Sequence, residues 1–144
     1  MNLDAAMRLA IEKADLIKGS TYPNPPVGAV ILDRDGGIAG VGATEPPGGP
    51  HAEVVALRRA GKRAVAGTAL VTLEPCNHYG RTPPCVDALV AAGVSRVCYA
   101  VADPNPEAAG GAARLAESGV TVEAGVLSDA VAGGPLREWL HKQR

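Results

Sequence analysis

"TALVTLEPCNHYGRTPPCVDALVAAG", residues 68–93, is the stretch whose reading decides the fold. Its opening "TALVTL" has the composition of a strand. Its closing "TPPCVDALVAAG" has the marks of a helix, with Thr82 as N-cap and proline in the first turn. Between them lies a stiff polar loop in which Cys76 and Cys85 are separated by His78, Arg81 and the prolines at 83 and 84, with Pro75 just before. Strand, loop and helix in that order form half of a strand–helix–strand unit, and "SRVCYAVAD", residues 95–103, supplies the second strand.

The alternation continues in both directions. Downstream, "GGAARLAESG" reads as a helix and "VTVEAGV" as a strand. "SDAVAGGPLREWLHKQ" is a closing helix that Gly133-Gly134-Pro135 breaks or kinks. Upstream, "HAEVVALRRAG" has helical periodicity and a glycine stop at Gly61. Before it, "EPPGGP" excludes regular structure, while "VGAVILD" and "IAGVGAT" flank the turn "RDGG" as a hairpin. "TYPNPP" is fixed by its prolines. Ala6, Leu9, Ala10, Ala14 and Ile17 recur at helical spacing, so a first helix is predicted over residues 3–18, stopped by Gly19. A hairpin followed by alternating helices and strands implies a three-layer α/β/α domain on a mixed sheet, one domain over residues 1–144.

Composition narrows the function. With 47% hydrophobic and 20% charged residues among 144, the chain reads as soluble and globular. Three Tyr, one Trp and no Phe leave the core to Ala, Val and Leu. A net charge of −1 offers no electrostatic pull toward nucleic acid, and Arg58, Arg59, Lys62 and Arg63 read as a solvated helix face. Acidic residues interrupt the apolar pattern of the N-terminal segment, which is expected to be an amphipathic helix and not a signal peptide. No apolar run reaches membrane-spanning length. Three cysteines without an export signal point to a cytoplasmic protein, and to a metal site or reactive thiol before a disulfide framework.

His51 and Glu53, two residues apart where a Gly/Pro loop becomes a helix, are weak evidence alone, because acidic residues favour first helical turns in general. The cysteines change the weight. Cys76 follows a strand end, where α/β folds gather their ligands, and Cys85 lies in the first turn of a helix, which favours the thiolate. One imidazole and two thiolates suit Zn²⁺ and leave its fourth position open, the mark of a catalytic site. Glu53 is then free to move protons. Cys98, inside the apolar "RVCYAV", belongs to the core.

This constellation resembles that of the zinc-dependent nucleobase deaminases, whose signature is H-x-E followed by P-C-x-x-C. Eight residues, not two, separate the cysteines here. "EPCNHYGRTPPC", together with "NPPVGAV" and "ADPNP", is similar to the deaminase domain of the bacterial riboflavin-biosynthesis deaminase/reductase from about Met7 to the C-terminus. The resemblance implies a cytidine deaminase-like fold, zinc on His51, Cys76 and Cys85, and proton transfer by Glu53. The implied substrate is a pyrimidine nucleotide, 2,5-diamino-6-ribosylamino-4(3H)-pyrimidinone 5′-phosphate, which loses its 2-amino group.

It further implies Asn24 in the pyrimidine pocket, and His78 and Arg81 meeting the substrate, Arg81 at its phosphate. Read from sequence alone, Asn24 before Pro25 is equally a turn element, and Asp103 and Asn105 mark another turn. Thr44, expected with Asn24, His78 and Arg81 among the substrate-binding residues, stands where many members of the family carry a histidine on the loop that covers the pocket, and it offers one hydrogen bond without charge. Family members self-associate, and a reductase is usually fused after the deaminase or works beside it. No Gly-rich dinucleotide-binding segment occurs in these residues, so no NADPH binding is expected. Competing readings are a deaminase of cytidine, deoxycytidylate or guanine, a tRNA-editing deaminase, and a non-catalytic zinc-stabilised module. The long cysteine loop with Arg81 opposes the first, the neutral charge the second, and Glu53 beside an open ligand position the third.

Overall fold

A computed structural model describes residues 1–77, 84–106 and 109–143. Helix α1 spans Leu3–Leu16 and buries Ala6, Met7, Ala10 and Ala14 along one stripe. Its first turn is closed by Asn2, whose Oδ1 accepts the Ala5 N–H at 2.7 Å. Strands β1 (Gly28–Leu32) and β2 (Ile38–Ala43) form the predicted hairpin. Helix α2 (Ala52–Ala60) follows, then β3 (Thr68–Leu73), α3 (Cys85–Ala91), β4 (Arg96–Val101), α4 (Gly111–Glu117), β5 (Thr121–Glu123), α5 (Ser128–Ala132) and α6 (Arg137–Lys142).

The five strands form one sheet in the order β2-β1-β3-β4-β5. β1 runs antiparallel to both neighbours, whereas β3, β4 and β5 are mutually parallel. This is the expected mixed α/β sheet. β1 and β3 are buried along their whole lengths, which is why β1 reads as an unbroken apolar run and β3 as an apolar run with only threonines, Thr68 and Thr72, among it.

Two glycine contacts place a helix on each face. A Cβ at Gly28 would collide with the Ala10 carbonyl of α1. On the neighbouring strand, a Cβ at Gly42 would lie 2.6 Å from the Ala52 carbonyl oxygen of α2. Gly28 pairs with Ala43 in the sheet. Gly42, one residue away, therefore faces the opposite side. α1 and α2 cover opposite faces at backbone contact distance.

The same register gathers the termini that matter. The Gly28 N–H donates to Thr72 Oγ1 at 3.1 Å, so the start of β1 meets the end of β3. The end of β2 lies beside that start, and Leu73 pairs with Val101 near the ends of β3 and β4. Segments 21–27, 44–51, 74–77 and 102–106 consequently share one end of the sheet.

Several predicted boundaries shift for physical reasons. β5 stops at Glu123, because Gly125 at φ +79° turns the chain and the Val126 N–H bonds the Tyr99 carbonyl. A 3-10 turn, Gly61–Ala64, continues beyond the glycine that ends α2. The closing helix is two helices, separated at Gly133-Gly134-Pro135. α3 begins at Cys85 with Pro84 as its cap residue, and the proposed cap Thr82 lies outside the described residues.

The basic cluster is not simply solvated. Arg59 donates to the Val41 carbonyl at 2.8 Å, and Arg63 donates to the Ile38 carbonyl at 3.1 Å and to Asp33 Oδ2 at 3.0 Å. The Arg63 guanidinium, bonded to Asp33, leads the causes that hold that carboxyl below its ordinary range. At the C-terminal side, Lys142 of α6 lies over the Tyr22 ring, 4.6 Å from its centre. Among the described residues, no helix is long and apolar enough to cross a membrane.

Candidate metal centre

His51 is the N-cap residue of α2, in extended conformation, and its ring makes no capping bond. The imidazole is therefore available to the opposite wall. There its Nδ1 lies 3.2 Å from Cys85 Sγ and 3.8 Å from Cys76 Sγ. Cys76 follows the end of β3, and Cys85 opens α3. The ligand atoms of all three residues lie within 4.8 Å of one another.

A tetrahedral zinc with bonds of about 2.3 Å to sulfur and about 2.0 Å to nitrogen requires nitrogen–sulfur separations of about 3.5 Å. The observed spacings bracket that value, so the donor set fits Zn²⁺ in kind and in size. The Cys85 backbone N–H donates to Cys76 Sγ at 3.2 Å, which orients the thiolate from outside the ligand set. No disulfide is present, since all three cysteines are free.

The local charges agree with ligand chemistry. A hydrogen bond from Cys85, helped by His51, draws the Cys76 thiol down to about 4, well into the thiolate range. The same sharing pushes Cys85 upward, and the contact with Cys76 raises His51. A divalent ion held by the three groups would let both sulfurs act as thiolates.

Glu53 sits in the first turn of α2 and is only 4% exposed. Burial, with the Cys76 charge added, pushes its carboxyl up to about 7. It adjoins the sulfurs without being grouped with the three candidate ligands.

Thr44 is buried, and its hydroxyl lies against backbone. It accepts the Val27 N–H at 3.0 Å and donates to the Pro25 carbonyl at 3.1 Å. Asn24 is half-buried, in the turn after Tyr22-Pro23, where its N–H donates to the Thr21 carbonyl at 2.8 Å. His78 and Arg81 lie outside the described residues. Cys98 is fully buried in the core, as its strand context predicts, and burial pushes its thiol up to about 11.

Glu74 is a site residue that sequence reasoning does not single out. It is 7% exposed, and its carboxylate accepts the N–H groups of Asp103 and Ala112, each at 3.0 Å. It thereby ties the loop after β4 and the start of α4 to the residue pair before Cys76. Gly111 completes the contact, because a Cβ there would collide with the Pro75 carbonyl. Arg114 adds an ion pair to Asp87 and a hydrogen bond to Asn77 at 3.2 Å. The available signal is an acidic residue directly behind a fully buried strand, where an unpartnered charge is not tolerated. Asp103 Oδ1 accepts the Asn105 N–H at 2.9 Å, the turn that "DPNP" suggests.

Comparison with known proteins agrees with this arrangement. Residues 1–101 match the family described as the cytidine and deoxycytidylate deaminase zinc-binding region. The riboflavin biosynthesis protein RibD of Mycobacterium tuberculosis (strain ATCC 25618 / H37Rv) is 64% identical over 143 residues, 99% of this chain and 42% of the relative. The diaminohydroxyphosphoribosylamino-pyrimidine deaminase of Buchnera aphidicola subsp. Acyrthosiphon pisum is 48% identical over 123 residues, 85% of this chain and 83% of the relative. A crystal structure from Thermotoga maritima, described as a diaminohydroxyphosphoribosylaminopyrimidine deaminase/5-amino-6-(5-phosphoribosylamino)uracil reductase, superposes with a TM-score of 0.87 at 40% identity. The match covers 91% of this chain and 38% of that one. The chain thus spans about two fifths of the length of its RibD-type relatives.

Proposed function

Because this chain belongs to the zinc-dependent cytidine and deoxycytidylate deaminase family, and within it to the diaminohydroxyphosphoribosylaminopyrimidine deaminases, we propose the following reaction. The protein hydrolytically removes the 2-amino group of 2,5-diamino-6-ribosylamino-4(3H)-pyrimidinone 5′-phosphate, a step of riboflavin biosynthesis. The observation that carries this reading is the convergence of His51 Nδ1 and the sulfurs of Cys76 and Cys85 beside a buried Glu53.

In this proposal His51, Cys76 and Cys85 hold zinc. When bound, the ion supplies Lewis acidity that makes water nucleophilic near neutral pH. Glu53 accepts a proton from the attacking water and passes it to the ring nitrogen, then accepts the proton of the newly added hydroxyl and passes it to the amine, which departs as ammonia. A carboxyl buried in the first turn of α2 is held at fixed distance from the metal ligands and is shielded from bulk water. Both properties favour repeated proton transfer over coordination. The Cys85 N–H and the Glu74 network keep Cys76 in place during turnover.

Asn24 holds the pyrimidine, His78 and Arg81 meet the substrate, and Arg81 reaches its phosphate. Residues 1–144 act as a deaminase unit whose product passes to a reductase, fused or separate. The length of the RibD-type relatives beyond the matched portion supports that partnership. The unit is a homo-oligomer that works in the cytoplasm, where reduced thiols such as the three found here persist.

The test is ammonia release by zinc-loaded protein given the diamino-ribosylaminopyrimidinone phosphate, with cytidine and deoxycytidylate in parallel and Glu53→Gln as control. Turnover of the first substrate alone, lost in the control, supports the reading. Turnover of cytidine or deoxycytidylate in its place overturns the substrate assignment and leaves the zinc chemistry standing.

A further inference from the structure

The segment from Asn24 to Val27 contains two consecutive prolines, so it has few N–H groups with which to anchor itself. Two buried threonines do the anchoring. Thr21, 1% exposed, donates its hydroxyl hydrogen to the Asn24 carbonyl at 2.9 Å, while its own carbonyl accepts the Asn24 N–H at 2.8 Å. Thr44, 5% exposed, donates its hydroxyl hydrogen to the Pro25 carbonyl at 3.1 Å and accepts the Val27 N–H at 3.0 Å. The Thr44 backbone N–H also donates to the Val27 carbonyl at 3.0 Å.

A hydroxyl carries one hydrogen. Thr21 directs its hydrogen at the Asn24 carbonyl and Thr44 at the following Pro25 carbonyl, so neither has one to offer a ligand. Thr21 holds Asn24 at both its N–H and its carbonyl, Thr44 holds the next residue, and Asn24 is half-buried at the sheet end that also carries Cys76 and His51. Its backbone is fixed directly by Thr21 and, through Pro25, by Thr44, which fixes the origin of its side chain. Misplacing a binding group by about 1 Å is enough to lose a large factor in catalytic efficiency.

We infer that Thr44, with Thr21, is a positioning residue that sets Asn24 for the substrate ring and does not touch the substrate itself. The inference rests on the deaminase reading above and on Asn24 as its pyrimidine contact. It gives the covering-loop position a role that depends on a small group able to donate and accept at once. Valine keeps the shape of threonine and removes that group, whereas serine keeps the group.

The experiment is a double-mutant cycle on the full zinc-loaded chain, pairing Thr44→Val with Asn24→Ala and using Thr44→Ser as the rescue variant. Steady-state ammonia release from the diamino-ribosylaminopyrimidinone phosphate gives KM and kcat, and amide hydrogen exchange at Val27 reports the clamp directly. Thr44→Val is expected to raise KM about tenfold with kcat within about threefold, and to speed Val27 exchange. Thr44→Ser is expected to restore KM to within about twofold. In the Asn24→Ala background, Thr44→Val is expected to add nothing further.

An unchanged KM in Thr44→Val despite fast Val27 exchange overturns the inference. So does a full Thr44→Val effect on top of Asn24→Ala, or a serine variant as impaired as the valine one. If Thr44→Val does not fold, Thr21→Val, which frees only the Asn24 carbonyl, takes its place in the cycle and is judged by the same KM and additivity criteria. A wild-type protein inert toward this substrate overturns the deaminase reading and this inference with it. An active wild type with an uncoupled cycle overturns only this one.

Discussion

Glu74 at the end of β3 holds the Ala112 N–H of α4 at 3.0 Å, although the two residues are 38 positions apart in the chain. The same carboxylate holds the Asp103 N–H, so one buried charge closes the loop after β4 and the start of α4 against the strand that leads to Cys76. Replacing it with alanine leaves two backbone N–H groups without their acceptor. We expect Glu74→Ala to lose about 3 kcal/mol of stability, since hydrogen bonds to charged groups are worth about 1.5–3 kcal/mol each. Urea unfolding with unchanged m-value measures it, and a loss under about 0.5 kcal/mol would show the network to be dispensable.

Glu53→Gln keeps the size of the side chain and removes the proton acceptor. Turnover is expected to fall by about 10²–10⁴-fold, with zinc content unchanged. Metal analysis beside the ammonia assay separates the two effects. A variant that loses zinc in proportion to activity would make Glu53 part of the metal site, not the proton carrier.

The three thiols should fall into two classes. Cys76 and Cys85 belong to the candidate metal group, whereas Cys98 is fully buried with its thiol pushed up to about 11. In native zinc-loaded protein, a thiol reagent is expected to react slowly throughout. After chelation Cys76 should react first, because its thiolate is already favoured. Cys98 should react only on unfolding. Chelation should also lower the melting temperature, because binding energy at a site formed only on folding is folding energy. Mass spectrometry of the labelled peptides gives the order.

At Gly42 a Cβ would lie 2.6 Å from the Ala52 carbonyl oxygen, and backbone atoms of a helix cannot yield as a side-chain end can. Gly42→Ala is expected to destabilise by about 3 kcal/mol through overpacking. It should also lower zinc affinity, because the displaced element is the start of α2, which carries His51. Isothermal titration with zinc alongside urea unfolding tests both. Lost stability with unchanged affinity would show that α2 moves as a rigid body without disturbing His51.

Legibility from sequence divides along a physical line. His51, Glu53, Cys76 and Cys85 can be recognised because their chemistry is written in residue type and local spacing. The strands and helices can be recognised because hydrophobic periodicity is local as well. Glu74 and Thr21 are different, and so is the role of Thr44, whose position the sequence marks but whose partners it does not. Each is a buried polar residue whose meaning lies in its partner, and the Thr44 partners Pro25 and Val27 sit 19 and 17 positions away. Only the register of β1 against β2 brings them together. The shortened β5 has the same cause: "VTVEAGV" looks uniform as a pattern, yet Gly125 turns the chain midway.

The two guanidinium groups bonded to β2 carbonyls have a consequence for life in a crowded solution. β2 is the terminal strand on its side of the sheet, and such a strand ordinarily presents a row of free carbonyls that another molecule can extend. Here Arg59 occupies the Val41 carbonyl and Arg63 the Ile38 carbonyl, from the helical segment that already covers the strand. A foreign strand would have to displace both before its first rung could form. The positive charges that composition marks as ordinary solvation therefore act as a barrier to fibre-like growth, leaving the apolar hairpin beneath them safe to sit at a boundary.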